Sequence, residues 1–280
     1  MELSLAFSPC PNDTFAFHAL INSLVDTEGL TFRVEMADVE ELNMRAAQGR
    51  YDICKLSYHA FFTIADKYAM LRSGSALGFN NGPLLVKKGP AGNPVPENPL
   101  IAIPGTHTTA ALLLQTAYRE YNRLRPMLFS DIEKAVLEGE VDAGVLIHEG
   151  RFTYREKGLE LIKDLGEFWQ EKFNSPIPLG GIAVKRELQK DGLEQKINRV
   201  LKKSILYAYE HPGDSREFIR ENAREISAKV QQEHIKLFVN DFTLDIGGKG
   251  EEAVRVLYDQ YLLGTGDRKT AHARNFQLFI

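Results

Sequence analysis

The feature that most constrains this sequence is a unit it uses twice. In the first copy an apolar strand, Leu3 to Phe7, runs into Ser8-Pro9-Cys10-Pro11-Asn12-Asp13 and a helix from Thr14. Asp38-Val39-Glu40-Glu41 then opens a second helix, Gly49 ends it, and Tyr51 to Ser57 forms a short strand. In the second copy Leu100 to Ile103 runs into Pro104-Gly105-Thr106-His107-Thr108-Thr109 and a helix. A capping box of Ser130 and Glu133 is expected to start the next helix, and Gly139 to stop it. The strand Val141 to Ile147 follows, and His148 is the first side chain after its apolar run. Open α/β sheets place ligands at the carboxyl ends of their strands. Two such units read as two similar α/β lobes whose four polar loops converge on one cleft.

Two punctuated crossings join the lobes. Gly89 to Pro99 is dense in proline and glycine, and Ser175-Pro176-Ile177-Pro178-Leu179-Gly180-Gly181 is the second such run, with Ile182-Ala183-Val184 as a strand after it. The expected division is residues 1–90 and 182–280 for lobe one and 91–181 for lobe two. From Arg186 onward the pattern turns to long helices, which have no strand partners of their own and should pack back on lobe one. Two α/β lobes joined by two crossings is the topology of the type II periplasmic-binding-protein-like fold, which closes on a small ligand by bending at the crossovers.

Composition removes several classes. The 280 residues are 44% hydrophobic and 26% charged, as in an average soluble globular protein. A formal net charge of -4 without a basic run argues against nucleic acid and anionic membrane surfaces. No apolar stretch approaches the roughly 18 residues of a spanning helix. Met1-Glu2-Leu3 enters a strand with no basic leader or cleavage site, so the cytoplasm is the expected compartment. Cys10 and Cys54 are then expected as reduced thiols. There is no CxxC and no HExxH, so no metal is expected.

The candidate chemistry lies at the strand tips. His148 can act as a general base, since an ordinary imidazole pKa near ~6.5 lets it exchange a proton at neutral pH. Glu149 is a possible orienting group, although neighbouring strand residues face opposite ways. The bland alternative is a histidine that merely caps the strand. His107 competes from its own cleft loop, whereas His18, His59, His211, His234 and His272 read as packing or surface groups. Thr108 and Thr109 sit where a glycine turn enters a helix, a place suited to cradling an oxygen or carboxylate. Lys55 and Ser57 alternate out of a buried strand, and a buried lysine is costly unless it meets a charge. Leu56 between them offers main-chain contacts. Gly247-Gly248-Lys249-Gly250 lacks P-loop spacing, and Trp169 with Phe168 and Phe173 reads as core.

Several segments resemble one family. Ser8-Pro9-Cys10-Pro11-Asn12-Asp13-Thr14-Phe15, Lys55-Leu56-Ser57-Tyr58, Leu71-Arg72-Ser73-Gly74, Gly105-Thr106-His107-Thr108-Thr109-Ala110 and Ile147-His148-Glu149-Gly150-Arg151 are similar to the 1,4-dihydroxy-6-naphthoate synthases, cytoplasmic enzymes of the futalosine route to menaquinone. The resemblance spans nearly the whole chain, as far as Asn240 to Asp245. It implies the two-lobed fold, no metal or organic cofactor, and conversion of cyclic dehypoxanthine futalosine to 1,4-dihydroxy-6-naphthoate. It also implies His148 as proton acceptor and Lys55, Leu56, Ser57, Thr108 and Thr109 as substrate contacts. Gly150 is one departure from a relative's serine, and it should not alter the base. The rival readings are a non-catalytic binding protein of the same fold and the sister enzyme chorismate dehydratase.

Overall fold

Each copy of the repeated unit folds into the same run of elements. The structure, a computed structural model, describes residues 1–89, 94–190, 192–223, 227–265 and 277–280. Residues 90–93 of the first proline-rich run and His272 lie outside the described residues. The first run is β1 (Glu2–Phe7), α1 (Pro11–Ile21), β2 (Thr31–Met36), α2 (Val39–Ala47) and β3 (Ile53–Ser57). It continues through α3 (Tyr58–Thr63), β4 (Tyr68–Met70), β5 (Ala76–Gly78) and β6 (Leu84–Lys88). The second run is β7 (Ile101–Ile103), α4 (Thr109–Ala117), β8 (Leu124–Pro126), α5 (Phe129–Glu138) and β9 (Ala143–Leu146). After it come α6 (Gly150–Thr153), β10 (Leu159–Asp164), α7 (Leu165–Phe173) and β11 (Ile177–Lys185). The helical remainder is α8 (Leu193–Glu210), α9 (Arg216–Asn222), α10 (Ala228–Phe238), α11 (Asp241–Leu244) and α12 (Gly247–Thr265).

The two sheets repeat one topology. The first has the order β2-β1-β3-β11-β4, with β5 also on β11, and the second reads β8-β7-β9-β6-β10. In each, the opening strand lies parallel to both neighbours, and an antiparallel strand closes against the tipped strand. That closing strand comes from the passage between lobes: β11 for the first sheet, β6 for the second. Leu84–Val86, placed by the sequence in lobe one, therefore pairs in the second sheet, and the first passage is at residues 79–83. The Gly89–Pro99 run instead connects β6 to β7. The buried strands β3 and β9 each need a hydrogen-bonding partner on their open side, and the chain supplies it as it crosses.

The return passage is also shorter than expected, because β11 begins at Ile177 and runs through Gly180 and Gly181. Gly180 faces Ser57, and a Cβ there would fall 2.5 Å from the Leu56 carbonyl oxygen. The glycine serves close strand approach at that point rather than a loop.

Caps fix the helices that carry the cleft loops. Asp38 Oδ1 accepts from Glu40 N at 3.0 Å, and Thr108 Oγ1 accepts from Ala111 N at 3.2 Å, as Asx and threonine N-caps should. The expected capping box at Ser130 does not form. The helix starts two residues earlier, at Phe129 with Leu128 as N-cap, so the Ser130 hydroxyl turns to Asp131 and Glu133 pairs with Lys157 at 2.5 Å. Asn12 and Asp13 do not cap α1 either; Cys10 holds that position with Pro11 at N1, where a missing N–H costs nothing.

The C-terminal helices divide. The helices α8, α9 and α10 pack on α1 in the first lobe, as expected. By contrast α12 lies against both α3 and α4, so it spans the two lobes. Phe62 of α3 meets Tyr258 and Tyr261 of α12, with ring centroids 5.0 and 5.6 Å apart. Leu56, Trp169, Ile177 and Leu257 belong to one continuous buried core behind the cleft. Trp169 is wholly buried there, with its indole N–H on the Pro176 carbonyl at 3.2 Å. Among the described residues no helix is long and apolar enough to cross a membrane.

Candidate active site

The carboxyl ends of β1, β3, β7 and β9 meet around a cleft of about 760 Å³, counted out to its open mouth. That is the size range of small-molecule sites. Lys55, Leu56 and Ser57 line it from the first lobe; Thr108, Thr109 and His148 line it from the second. The six positions singled out in the sequence therefore share one wall-to-wall space.

Lys55 does not stand free. Its ammonium lies 2.9 Å from Asp13 Oδ1 and 3.3 Å from the Gly74 carbonyl, and both side chains are buried. Asp13 also accepts from Ser8 Oγ at 2.7 Å and from Asn12 Nδ2 at 2.8 Å. The buried cation that the sequence flagged is thus neutralised within its own lobe. Arg151 is engaged in the same way, by Asp164 at 2.7 Å and by the Gly82 carbonyl. It ties α6 to the interlobe passage.

Donors for a ligand remain elsewhere. Ser57 makes two bonds with Asn43: its N–H donates to Asn43 Oδ1 at 3.0 Å, and its Oγ accepts from Asn43 Nδ2 at 3.1 Å. With the oxygen so occupied, the hydroxyl proton is left to donate into the cleft. The threonine hydroxyls, in contrast, are used internally. Thr108 donates to the Gly105 carbonyl at 2.8 Å, and Thr109 donates to the Leu179 carbonyl at 2.7 Å, across the lobes. What α4 offers is its main chain. Among the described residues the Thr109 and Ala110 N–H groups have no acceptor in the protein, as the first turn of a helix dictates.

His148 sits two residues beyond β9 with φ of 52°. Left-handed backbone at a residue other than glycine costs about 1–3 kcal/mol and recurs at functional sites. Its Nε2 is 3.8 Å from Cys10 Sγ, a contact that reaches across to the loop after β1. The edge of Phe129 meets the ring at 5.0 Å, and a second imidazole, His234, stacks on it. Among the described residues Glu149 makes no hydrogen bond to His148; it occupies the N-cap position of α6.

Burial, with Glu149 and Asp13 nearby, holds the Cys10 thiol well above its ordinary pKa. Burial does the same for Cys54. Both should stay protonated and shielded at pH 8. Native protein is expected to give almost no colour with a disulfide thiol reagent over minutes, and two thiols per chain once unfolded. Rapid labelling of one native thiol would contradict the closed packing around Cys10.

His107 stands at the rim. It is half-exposed, and its N–H and Nδ1 face Glu40 of the opposite lobe at 3.1 and 2.9 Å. It is a clasp between α2 and the loop after β7, not part of the cleft lining. Asn43 and His234 were not singled out by sequence as site residues. An asparagine in a helix and a histidine in an amphipathic one carry no local signal of what they meet.

The family profile described as menaquinone biosynthesis matches residues 3–261. The chain belongs to this family. A curated relative from Thermus thermophilus, named 1,4-dihydroxy-6-naphthoate synthase, is 41% identical and covers 91% of this chain and 92% of its own. A crystal structure of an Archaeoglobus fulgidus protein superposes with TM-score 0.88 at 33% identity, covering 95% and 98%. A Candida albicans protein described as having the generic periplasmic-binding-protein fold superposes with TM-score 0.67 at 14% identity, covering 95% of each chain. The two-lobed fold of this menaquinone biosynthesis family member is thus the periplasmic-binding-protein type, with an enzyme's sequence on it.

Proposed function

We propose that the chain is a 1,4-dihydroxy-6-naphthoate synthase, a cofactor-independent lyase of the cytoplasm that converts cyclic dehypoxanthine futalosine with His148 as general base. The observation that carries this reading is the placement of His148. It is a histidine in strained left-handed backbone, inside an interlobe cleft that the unpaired N–H groups at the start of α4 also line. Its rival His107 is engaged by Glu40.

The chemistry divides among the walls as follows. Removing a proton beside a ketone leaves an enolate, whose oxygen needs fixed donors in a site without bulk water. The Thr109 and Ala110 N–H groups and the Ser57 hydroxyl supply such donors, and His148 takes the proton. The Cys10 thiol, kept neutral by burial, lies 3.8 Å from the imidazole and cannot compete with it as a base. Lys55 acts through Asp13, fixing the loop after β1, while its third N–H stays available to a substrate oxygen. Closed lobes keep water from the intermediate as the ring system becomes aromatic.

The test is turnover of purified protein with cyclic dehypoxanthine futalosine, following 1,4-dihydroxy-6-naphthoate by absorbance and mass. Product is expected at an unchanged rate when EDTA is present. A substrate-induced rise in melting temperature with no product would instead favour a binding protein.

A further inference from the structure

The helix α10 brings a second imidazole against the candidate base. His234 is wholly buried, and its ring lies 5.8 Å from that of His148, with the planes 16° apart. Phe238, one turn on, meets the His234 ring at 4.5 Å. Phe129 meets His148 edge-on at 5.0 Å. The His148 ring is therefore contacted by a stacked imidazole and by an aromatic edge.

The orientation of His234 is fixed by a chain of polar contacts. Asn12 turns its Nδ2 to Asp13 at 2.8 Å, which leaves Oδ1 facing His234 Nε2 at 2.9 Å. An amide oxygen only accepts, so the proton of His234 resides on Nε2. Nδ1 then carries a lone pair that is buried with no partner in the protein among the described residues. Burial, and after it the nearby His148 and Lys55, keep this ring uncharged, well below the ordinary pKa of histidine. An uncharged neighbour does not oppose the positive charge that His148 acquires when it takes a proton. The Nε2–H bond to Asn12 helps to hold α10, but it leaves Nδ1 as an unpartnered buried atom, a cost that packing alone does not explain.

We propose that His234 is a positioning residue for His148, whose stacked ring sets the plane and aim of the base from the C-terminal helical layer. The proposal rests on the reading of His148 as base. It also explains why the opposite lobe's helical layer reaches the tip of β9.

The test compares His234→Phe with His234→Ala, beside His148→Asn. Both His234 variants strand Asn12 Oδ1, so both should melt below wild type, and alanine further because it also leaves a cavity; only alanine removes the ring, and kcat is read on the folded protein. His234→Ala is expected to lower kcat by about ten- to a hundredfold, the effect of a misaimed group, with KM within about threefold. His234→Phe should keep kcat within about threefold of wild type, because a flat ring still backs His148. Wild-type kcat in the alanine variant would overturn the proposal. So would a phenylalanine variant as impaired as the alanine one, or a loss confined to KM. An active His148→Asn protein would fell the base reading itself, whereas an inactive one beside unaffected His234 variants would fell only the positioning role.

Discussion

His148→Ala is expected to lower kcat by about 10²- to 10⁴-fold, the usual contribution of a positioned acid or base. Substrate binding should survive, because the donors on Ser57 and at the start of α4 do not depend on the imidazole. Single-turnover kinetics, with substrate-induced thermal shift as the binding readout, separate the two effects. The loss should appear in kcat and in kcat/KM alike, as for an interaction made in the transition state. Stability should separate two equally inactive replacements. Alanine tolerates left-handed backbone no better than histidine, so replacement by glycine is the informative partner: His148→Gly should melt higher than His148→Ala while being as inactive. Near-wild-type turnover in either variant would remove His148 from the chemistry. Glu40→Ala then becomes the next probe, because it removes the oxygens that clasp His107 at the rim.

The repeat was legible because each of its parts has a local cause. The apolar run Leu3–Phe7, the Asp38 cap and the left-handed stop at Gly139 act over a few residues, and each stands where the sequence put it. Sheet partnership is different. Nothing in Leu84–Lys88 itself says which sheet it will join; that follows from the open side of β9, which exists only once the second lobe has formed. The same limit applies inside the cleft. Position marked Thr108 and Thr109, yet their hydroxyls answer to Gly105 and Leu179, and the free donors are main-chain groups that every residue carries. Lys55 was marked as a buried charge in need of a partner, but the partner, Asp13, read as a helix cap. His234 reaches His148 only because α10 folds back over α1, a tertiary fact without a sequence pattern.

That Lys55–Asp13 pair carries the second large expectation. Removing one partner of a buried ion pair costs about 3–5 kcal/mol, because the other charge is left without compensation. The two ends are not equivalent here. Without Lys55, Asp13 keeps the Ser8 hydroxyl at 2.7 Å and the Asn12 amide at 2.8 Å. Without Asp13, Lys55 keeps, among the described residues, only the Gly74 carbonyl at 3.3 Å. Asp13→Ala is therefore expected near the upper end of that range and Lys55→Met below it, by about 1–2 kcal/mol, roughly one charge-assisted hydrogen bond. The double variant should be more stable than Asp13→Ala alone, since the stranded ammonium is gone. Urea unfolding measures this as midpoint shifts at constant slope. Equal costs at the two ends, or simple additivity in the double variant, would mean that the pair is not coupled as its geometry requires. Coupling at this position matters for activity as well as stability. Asp13 links Lys55 on the cleft floor to Asn12, and Asn12 holds the imidazole stacked on His148. Asp13→Ala should accordingly lose turnover beyond what its remaining folded fraction explains, and Lys55→Met, which leaves the Asp13–Asn12 contact in place, should lose less.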